Sequence, residues 1–314
     1  MKILIFGRGV IATQYAWALE KAGNDITFYV RPERLAEYGN KIQLDILDAR
    51  KKVRGETVMQ TWNVKMTADL TENHNYDLIF VSVQHYHFKE VASFLKTRIN
   101  KATVLLFSNF WEEPLQSTSM LPQEQLVWGF PQAGGGFDKN DVLCGTIRSS
   151  ITMSDFGKSN PERVNEVVEM FKSIGIKSSF VKDFRSWLYI HFVLNAAIQL
   201  EMLKGNAKKM ESKKMKSTLF WKNVILNTKE LMPLLNARNV DLKASAELKL
   251  MSLPAWLVCF AVKISMALLP SVKRVTESHN NINEMKAYCK DVLQSSKELN
   301  IDLPKYTQNK SIFQ

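Results

Sequence analysis

The chain has only three cysteines in 314 residues, Cys144, Cys259 and Cys289, too far apart for a disulfide framework or a metal-ligand spacing. They read as unpaired thiols of a reducing compartment, and the cytoplasm is the expected location. The opening MKILIFGRG lacks the long apolar stretch and small-residue cleavage site of a signal peptide. A membrane span would need about 20 apolar residues. The nearest approach, LPAWLVCFAVKISMALLP (253–270), is interrupted by Lys263 and Ser265 and bounded by Pro254 and Pro270. A lysine in mid-span is costly in lipid. A buried or surface-docking helix is therefore expected there rather than a span, with peripheral membrane contact left open.

Arginine is absent where a nucleic-acid reader would need it. The net charge is +11, from 42 Lys and Arg against 31 Asp and Glu, which invites a nucleic-acid reading. Much of the excess lies in KGNAKKMESKKMKSTLFWK, with seven lysines between Lys204 and Lys222 and one acid, Glu211. That segment has no guanidinium for bidentate base contacts. A solvated surface is the expectation, attraction of an anionic substrate or cofactor the alternative, and no nucleic-acid partner is expected. At 46% hydrophobic and 23% charged residues the composition is that of a folded globular chain long enough for two domains.

What is present begins at residue 2. KILIFG (2–7) is a short apolar run ending in glycine, RGVIATQYAWALEKAG has helical spacing and stops at Gly23, and DITFYV (25–30) is a second strand. Strand, glycine turn, helix and strand make a βαβ unit. The turn Gly7-Arg8-Gly9-Val10-Ile11-Ala12 is a G-x-G-x-x-A fingerprint. Gly7 permits the tight turn, Gly9 lets backbone approach a pyrophosphate, and Ala12 lets helix and strand pack closely. An NAD site usually has an acid after the second strand. This chain has Val30-Arg31-Pro32-Glu33-Arg34, and a guanidinium can grip a 2′-phosphate bidentately. NADP(H) is the expected cofactor, with Arg31 the first candidate for that phosphate and Arg34 the second.

Further strands are expected at 76–83, 102–109, 126–131 and 146–154, with helices at VASFLKTRI and PERVNEVVEMFKSIG and a last strand at KSSFVKD. Strand ends in such sheets gather ligands. Val83, Gln84 and Asn109 stand there and join the candidate cofactor residues. His85 and His87 could suggest a metal, but nothing nearby completes a ligand set, so no metal is expected. AGGG (133–136) reads as a flexible loop bordering the cleft. From about Phe184 the pattern is helical: 185–203, 217–238, 241–251, 255–269 and 272–299. The fold class is thus α/β, an N-terminal Rossmann-type doubly wound parallel sheet (1–183) followed by an all-helical domain (184–314). Substrate is expected between the two.

One helix carries an unexplained polar file. In LYIHFVLNAAIQ (188–199), His191, Asn195 and Gln199 recur every four residues among apolar neighbours. They are either satisfied core groups or the lining of a ligand cleft. Together these features resemble the ketopantoate reductase (2-dehydropantoate 2-reductase) family over essentially the full length. The fingerprint, the arginine after strand two, the strand-end Asn109, Glu284, and the ending Asn300-Ile301-Asp302-Leu303-Pro304-Lys305-Tyr306-Thr307 all fit the order of that family's motifs. The file is similar to the family's K-x-x-x-N-x-x-x-N row, with Asn195 kept, Gln199 an amide in the third place and His191 where the family has its catalytic lysine. Gln84 replaces a second family lysine, and Phe110 a glycine. Asn109-Phe110-Trp111 and Gly129-Phe130-Pro131 resemble divergent relatives.

The resemblance implies an NADPH-dependent reductase of a 2-oxo acid or related small carbonyl compound. His191 would be the general acid, with a nearby Glu284 favouring its imidazolium form and burial opposing it; Asn195 would orient substrate; and Asn109, Gln199 and Glu284 would contact it. A non-catalytic NADP-binding protein, a sensor or a membrane-associated partner, is the alternative. A homodimer is a candidate assembly.

Overall fold

A computed structural model describes residues 1–204, 211–242 and 246–314. The chain divides into two compact units, Met1–Lys182 and Asp183–Gln314.

In the first unit the strands are β1 (Lys2–Phe6), β2 (Asp25–Tyr29), β3 (Lys41–Ala49), β4 (Glu56–Asn63), β5 (Lys65–Thr67), β6 (Leu78–Val81), β7 (Thr103–Leu106), β8 (Leu126–Phe130), β9 (Ala133–Phe137), β10 (Val142–Arg148), β11 (Ser150–Ser154) and β12 (Lys177–Phe180). The helices are α1 (Val10–Lys21), α2 (Pro32–Tyr38), α3 (His85–Leu95), α4 (Pro114–Ser117) and α5 (Pro161–Ser173). The main sheet has eight strands in the order β12-β11-β8-β7-β6-β1-β2-β5. Its pairs are parallel except β11 with β8. The centre, Ile3 to Ile5, Leu78 to Val81 and Val104 to Leu106, is buried on both faces, which is why these strands read as unbroken apolar runs.

A second sheet, β4-β3-β10-β9, was not expected from the sequence. It packs on α1, so that helix lies between two sheets and is buried from Ala12 to Leu19. The expected strand 146–154 is in fact two: β10 belongs to the second sheet and β11 to the main one. AGGG is corrected as well. It is part of β9, not a flexible loop, and Gly135 is there for close packing. A Cβ on Gly135, at φ +147°, would stand 2.2 Å from the Cys144 carbonyl oxygen. Gln14 Nε2 donates to the Gly134 carbonyl at 3.2 Å, tying α1 to this strand.

The second unit is helical: α6 (Phe184–Leu203), α7 (Ser212–Met215), α8 (Thr218–Ala237), α9 (Ala246–Met251), α10 (Ala255–Leu268), α11 (Pro270–Ser278), α12 (Ile282–Glu298), α13 (Pro304–Gln308) and α14 (Lys310–Phe313). The expected helix 241–251 falls partly outside the described residues, as does the lysine-rich segment 204–222. The expected long helix 272–299 is two helices. Asn281 ends the break between them by accepting from the Glu284 amide at 3.2 Å, an N-cap that starts α12. α6 forms the centre, with α8 and α12 against it; the Phe192 and Tyr288 rings meet at 4.5 Å.

Candidate functional site

In the first unit, topology brings the candidate cofactor residues to one edge. The contiguous strands β7, β6, β1 and β2 end in Ser108-Asn109, Ser82-Val83-Gln84, Gly7 to Ala12, and Arg31, in that order along the carboxyl edge. The chain order reverses between β6 and β1, the switch point where open α/β sheets bind ligands.

Gly7 sits at φ +90°, a conformation that favours glycine, and its amide donates to the Tyr29 carbonyl at 2.9 Å. Gly9 is different. As N-cap of α1 it has φ −73° and ψ 158°, open to any residue. The nearest atom to an added Cβ would be the Ser82 carbonyl oxygen at 3.7 Å, ordinary contact. The fold therefore gives no reason for glycine at position 9, while a pyrophosphate laid on the helix N-terminus does. The residues present fit a dinucleotide.

The arginines divide by role. The Arg8 guanidinium is buried, donating to the Tyr38 carbonyl at 2.9 Å and to Asp141 at 2.8 Å, and it lies over the Tyr38 ring at 4.6 Å. Its side chain braces the turn against α2 and the β9–β10 loop, which commits the guanidinium to the fold. Arg34 reaches the Tyr38 hydroxyl at 3.0 Å and Glu37 at 2.8 Å. Arg31 is exposed, and among the described residues its ion pair is with an exposed Glu33 carboxylate at 3.4 Å, a contact worth little in water. Its guanidinium is available to an anion. Asn109 is buried beside this edge, the Ser108 hydroxyl donates to the Val83 carbonyl at 3.0 Å, and Gln84 is the N-cap residue of α3.

The polar file lies in the second unit, on α6. Steps of four residues advance about 40° round a helix, so the file winds. His191 and Asn195 are half-buried, whereas Gln199 has turned into the core and its Oε1 has no hydrogen-bond partner among the described residues. The open strip is completed instead by Trp187 and Ile198. Trp187 stacks on the His191 ring at 5.1 Å with planes 10° apart. It was legible as the i−4 member of the same row.

The electrostatics overturn one expectation. Burial holds the His191 imidazole down to about 4, and the carboxylate that opposes burial is Glu247, on α9, rather than Glu284. No local signal connects positions 56 apart, so the sequence did not point to Glu247. Glu284 stands in the first turn of α12, where a negative charge suits the helix N-terminus, with His279 Nε2 at 4.0 Å. That distance is too long for a hydrogen bond.

Comparison with known proteins bears on both units. Residues 3–159 match the family described as ketopantoate reductase PanE/ApbA. Among solved structures the chain is similar to D-mandelate dehydrogenase in complex with NADH and anilino(oxo)acetate, at 12% identity and a TM-score of 0.68, covering 100% of this chain and 97% of that one. It is similar to 2-dehydropantoate 2-reductase from Geobacter metallireducens at 15% identity and a TM-score of 0.66, covering 100% and 99%. It is also similar to dimeric ketopantoate reductase from Staphylococcus aureus at 14% and 0.61, covering 99% and 98%. At such identities the likeness to these structures is one of fold.

Proposed function

Because the chain belongs to the ketopantoate reductase PanE/ApbA family, we propose that it is an NADP-dependent reductase of a 2-oxo acid or a related small carbonyl compound. The observation that carries this reading is Gly9, a glycine that the fold does not require and a dinucleotide does. In the first unit the backbone from Gly7 to Ala12 would hold the pyrophosphate, Arg31 the 2′-phosphate, and Val83, Gln84 and Asn109 the remainder of the cofactor.

Reducing a 2-oxo acid asks the protein to hold a carboxylate, polarise a ketone oxygen and deliver one proton to it. The reduced nicotinamide, when bound, supplies the hydride. His191 delivers the proton, Asn195 donates to the ketone oxygen, and Glu284 orients the substrate's polar end, while Gln199, turned into the core, is left out of the substrate contacts. With His191 held at about 4, only about one imidazole in a thousand is charged at pH 7. A substrate carboxylate brought beside the ring favours the charged form, so binding itself readies the donor.

The same neutral imidazole, in place of the family lysine, favours a second reading: an NADP-binding protein without reductase activity. One experiment separates them. NADPH oxidation is followed against 2-oxo acids, ketopantoate included, from about pH 4.5 to 8, with NADPH affinity measured in parallel. The reductase reading expects turnover whose kcat/KM falls about tenfold per pH unit above about 4, since kcat/KM reports the free enzyme, and its loss in His191→Ala. NADPH binding with no turnover on any acid would overturn it and leave the second reading.

A further inference from the structure

Helix α10 keeps only one side in the core. Val258, Cys259 and Met266 are buried, but Trp256, Phe260, Ile264 and Leu268, four apart, form an open row. Trp256 is 63% exposed, Phe260 55% and Leu268 62%. Single exposed apolar residues are ordinary; a contiguous row headed by tryptophan marks a surface that meets something.

The charge around the row says what. Along the chain no acid occurs between Glu247 and Glu277, while the exposed Lys249, Lys263 and Lys273 do. Lys263 is exposed, and seven residues from Trp256 put it on the same face. Residues 183–314 carry twenty Lys and Arg against eleven Asp and Glu, whereas residues 1–182 carry twenty-two against twenty. The positive excess thus belongs mainly to the unit that bears the row. A second copy docked here by two-fold symmetry would face lysine with lysine, an arrangement the charge opposes.

We propose that this face lies on an anionic lipid bilayer, with the Trp256–Leu268 row in the boundary between headgroups and acyl chains. Tryptophan suits that boundary, and lysine stems bury their methylenes while the ammonium meets phosphate. Each basic residue near an anionic surface strengthens binding roughly fivefold. Among the described residues no single helix is long and apolar enough to cross a membrane; α10 and α11 pass together only as a pair bent by 102°. The helix therefore lies on the bilayer in the manner of interfacial helices.

The full chain is floated with vesicles of phosphatidylcholine alone and of phosphatidylcholine with an equal part of phosphatidylglycerol. The expected result is binding to the anionic vesicles, roughly tenfold weaker on the neutral ones and reversed by salt. Phe260→Ser and Lys263→Glu each weaken it roughly tenfold without changing the melting temperature or NADPH affinity. Absence of binding, equal binding to both vesicles, or binding indifferent to both variants would overturn the proposal. So would a concentration-dependent doubling of mass that Trp256→Ser abolishes and vesicles do not affect, which assigns the row to a second copy.

Discussion

The indole of Trp187 and the imidazole of His191 lie parallel, 5.1 Å apart, on the open strip of α6. The stack covers one face of the histidine, and burial holds its folded pKa at about 4 against an unfolded value near 6.5.

A stability window follows, with a definite sign. Between pH 6.5 and 4 the unfolded chain binds the extra proton and the folded chain does not, so stability rises with pH through that window and is lost as pH falls. For a half-buried ring the loss is about 2 kcal/mol. Urea unfolding of the wild type and His191→Gln at several pH values measures it; the variant should lack that part of the slope. Parallel curves would show that the imidazole is not held neutral.

Two glycine substitutions should behave oppositely. Gly9→Ala meets nothing closer than 3.7 Å and leaves φ unstrained, so melting should shift by no more than about 2 °C, yet NADPH affinity should fall about tenfold or more. In Gly129→Ala the new Cβ would stand 2.4 Å from Phe107 Cε1, a cost of about 1–3 kcal/mol. Calorimetry of unfolding and of cofactor binding separates these outcomes.

Arginine substitutions should split cofactor choice from fold. Arg31→Ala is expected to weaken NADPH by about 10–100-fold, one to two steps of 1.4 kcal/mol, and to leave NADH almost unchanged. Arg8→Met loses the bonds to the Tyr38 carbonyl and Asp141 and should destabilise by about 1–3 kcal/mol. It should weaken both cofactors alike. Titrations with each cofactor read the difference.

Gln199 offers a test through its Oε1, which has no partner among the described residues. Leucine fills nearly the same volume without an orphan acceptor, whose burial costs about 1–3 kcal/mol. Gln199→Leu should therefore melt a few degrees higher while KM for the oxo acid and KM for NADPH both stay unchanged. A raised KM for the oxo acid would instead put Gln199 among the substrate contacts.

How much could be read in advance depended on the distance over which a residue acts. The βαβ unit, the turn from Gly7 to Ala12 and the apolar strands are short-range patterns, and the chain bears them out within a few residues. The second sheet escaped because β3 and β4 alternate like any half-exposed pair, and only α1, buried on all sides, requires something opposite. The AGGG stretch was misread because glycine in a strand and glycine in a loop look alike until a neighbour such as the Cys144 carbonyl is in place. In the second unit, helical periodicity ran through the break at 279–281, where the Asn281 cap decides.

Sequence alone determined the nucleotide-type α/β half, the helical half, the arginine where an acid is usual, and the histidine at the lysine's place, since each is carried by residue type and local spacing. Tertiary structure decided which groups are free to act. It committed the Arg8 side chain to Tyr38 and left Arg31 open, turned Gln199 inward, and put Glu247 rather than Glu284 in the field of His191. The reason is that burial and charge depend on what packs against a side chain, and those neighbours come from distant parts of the chain.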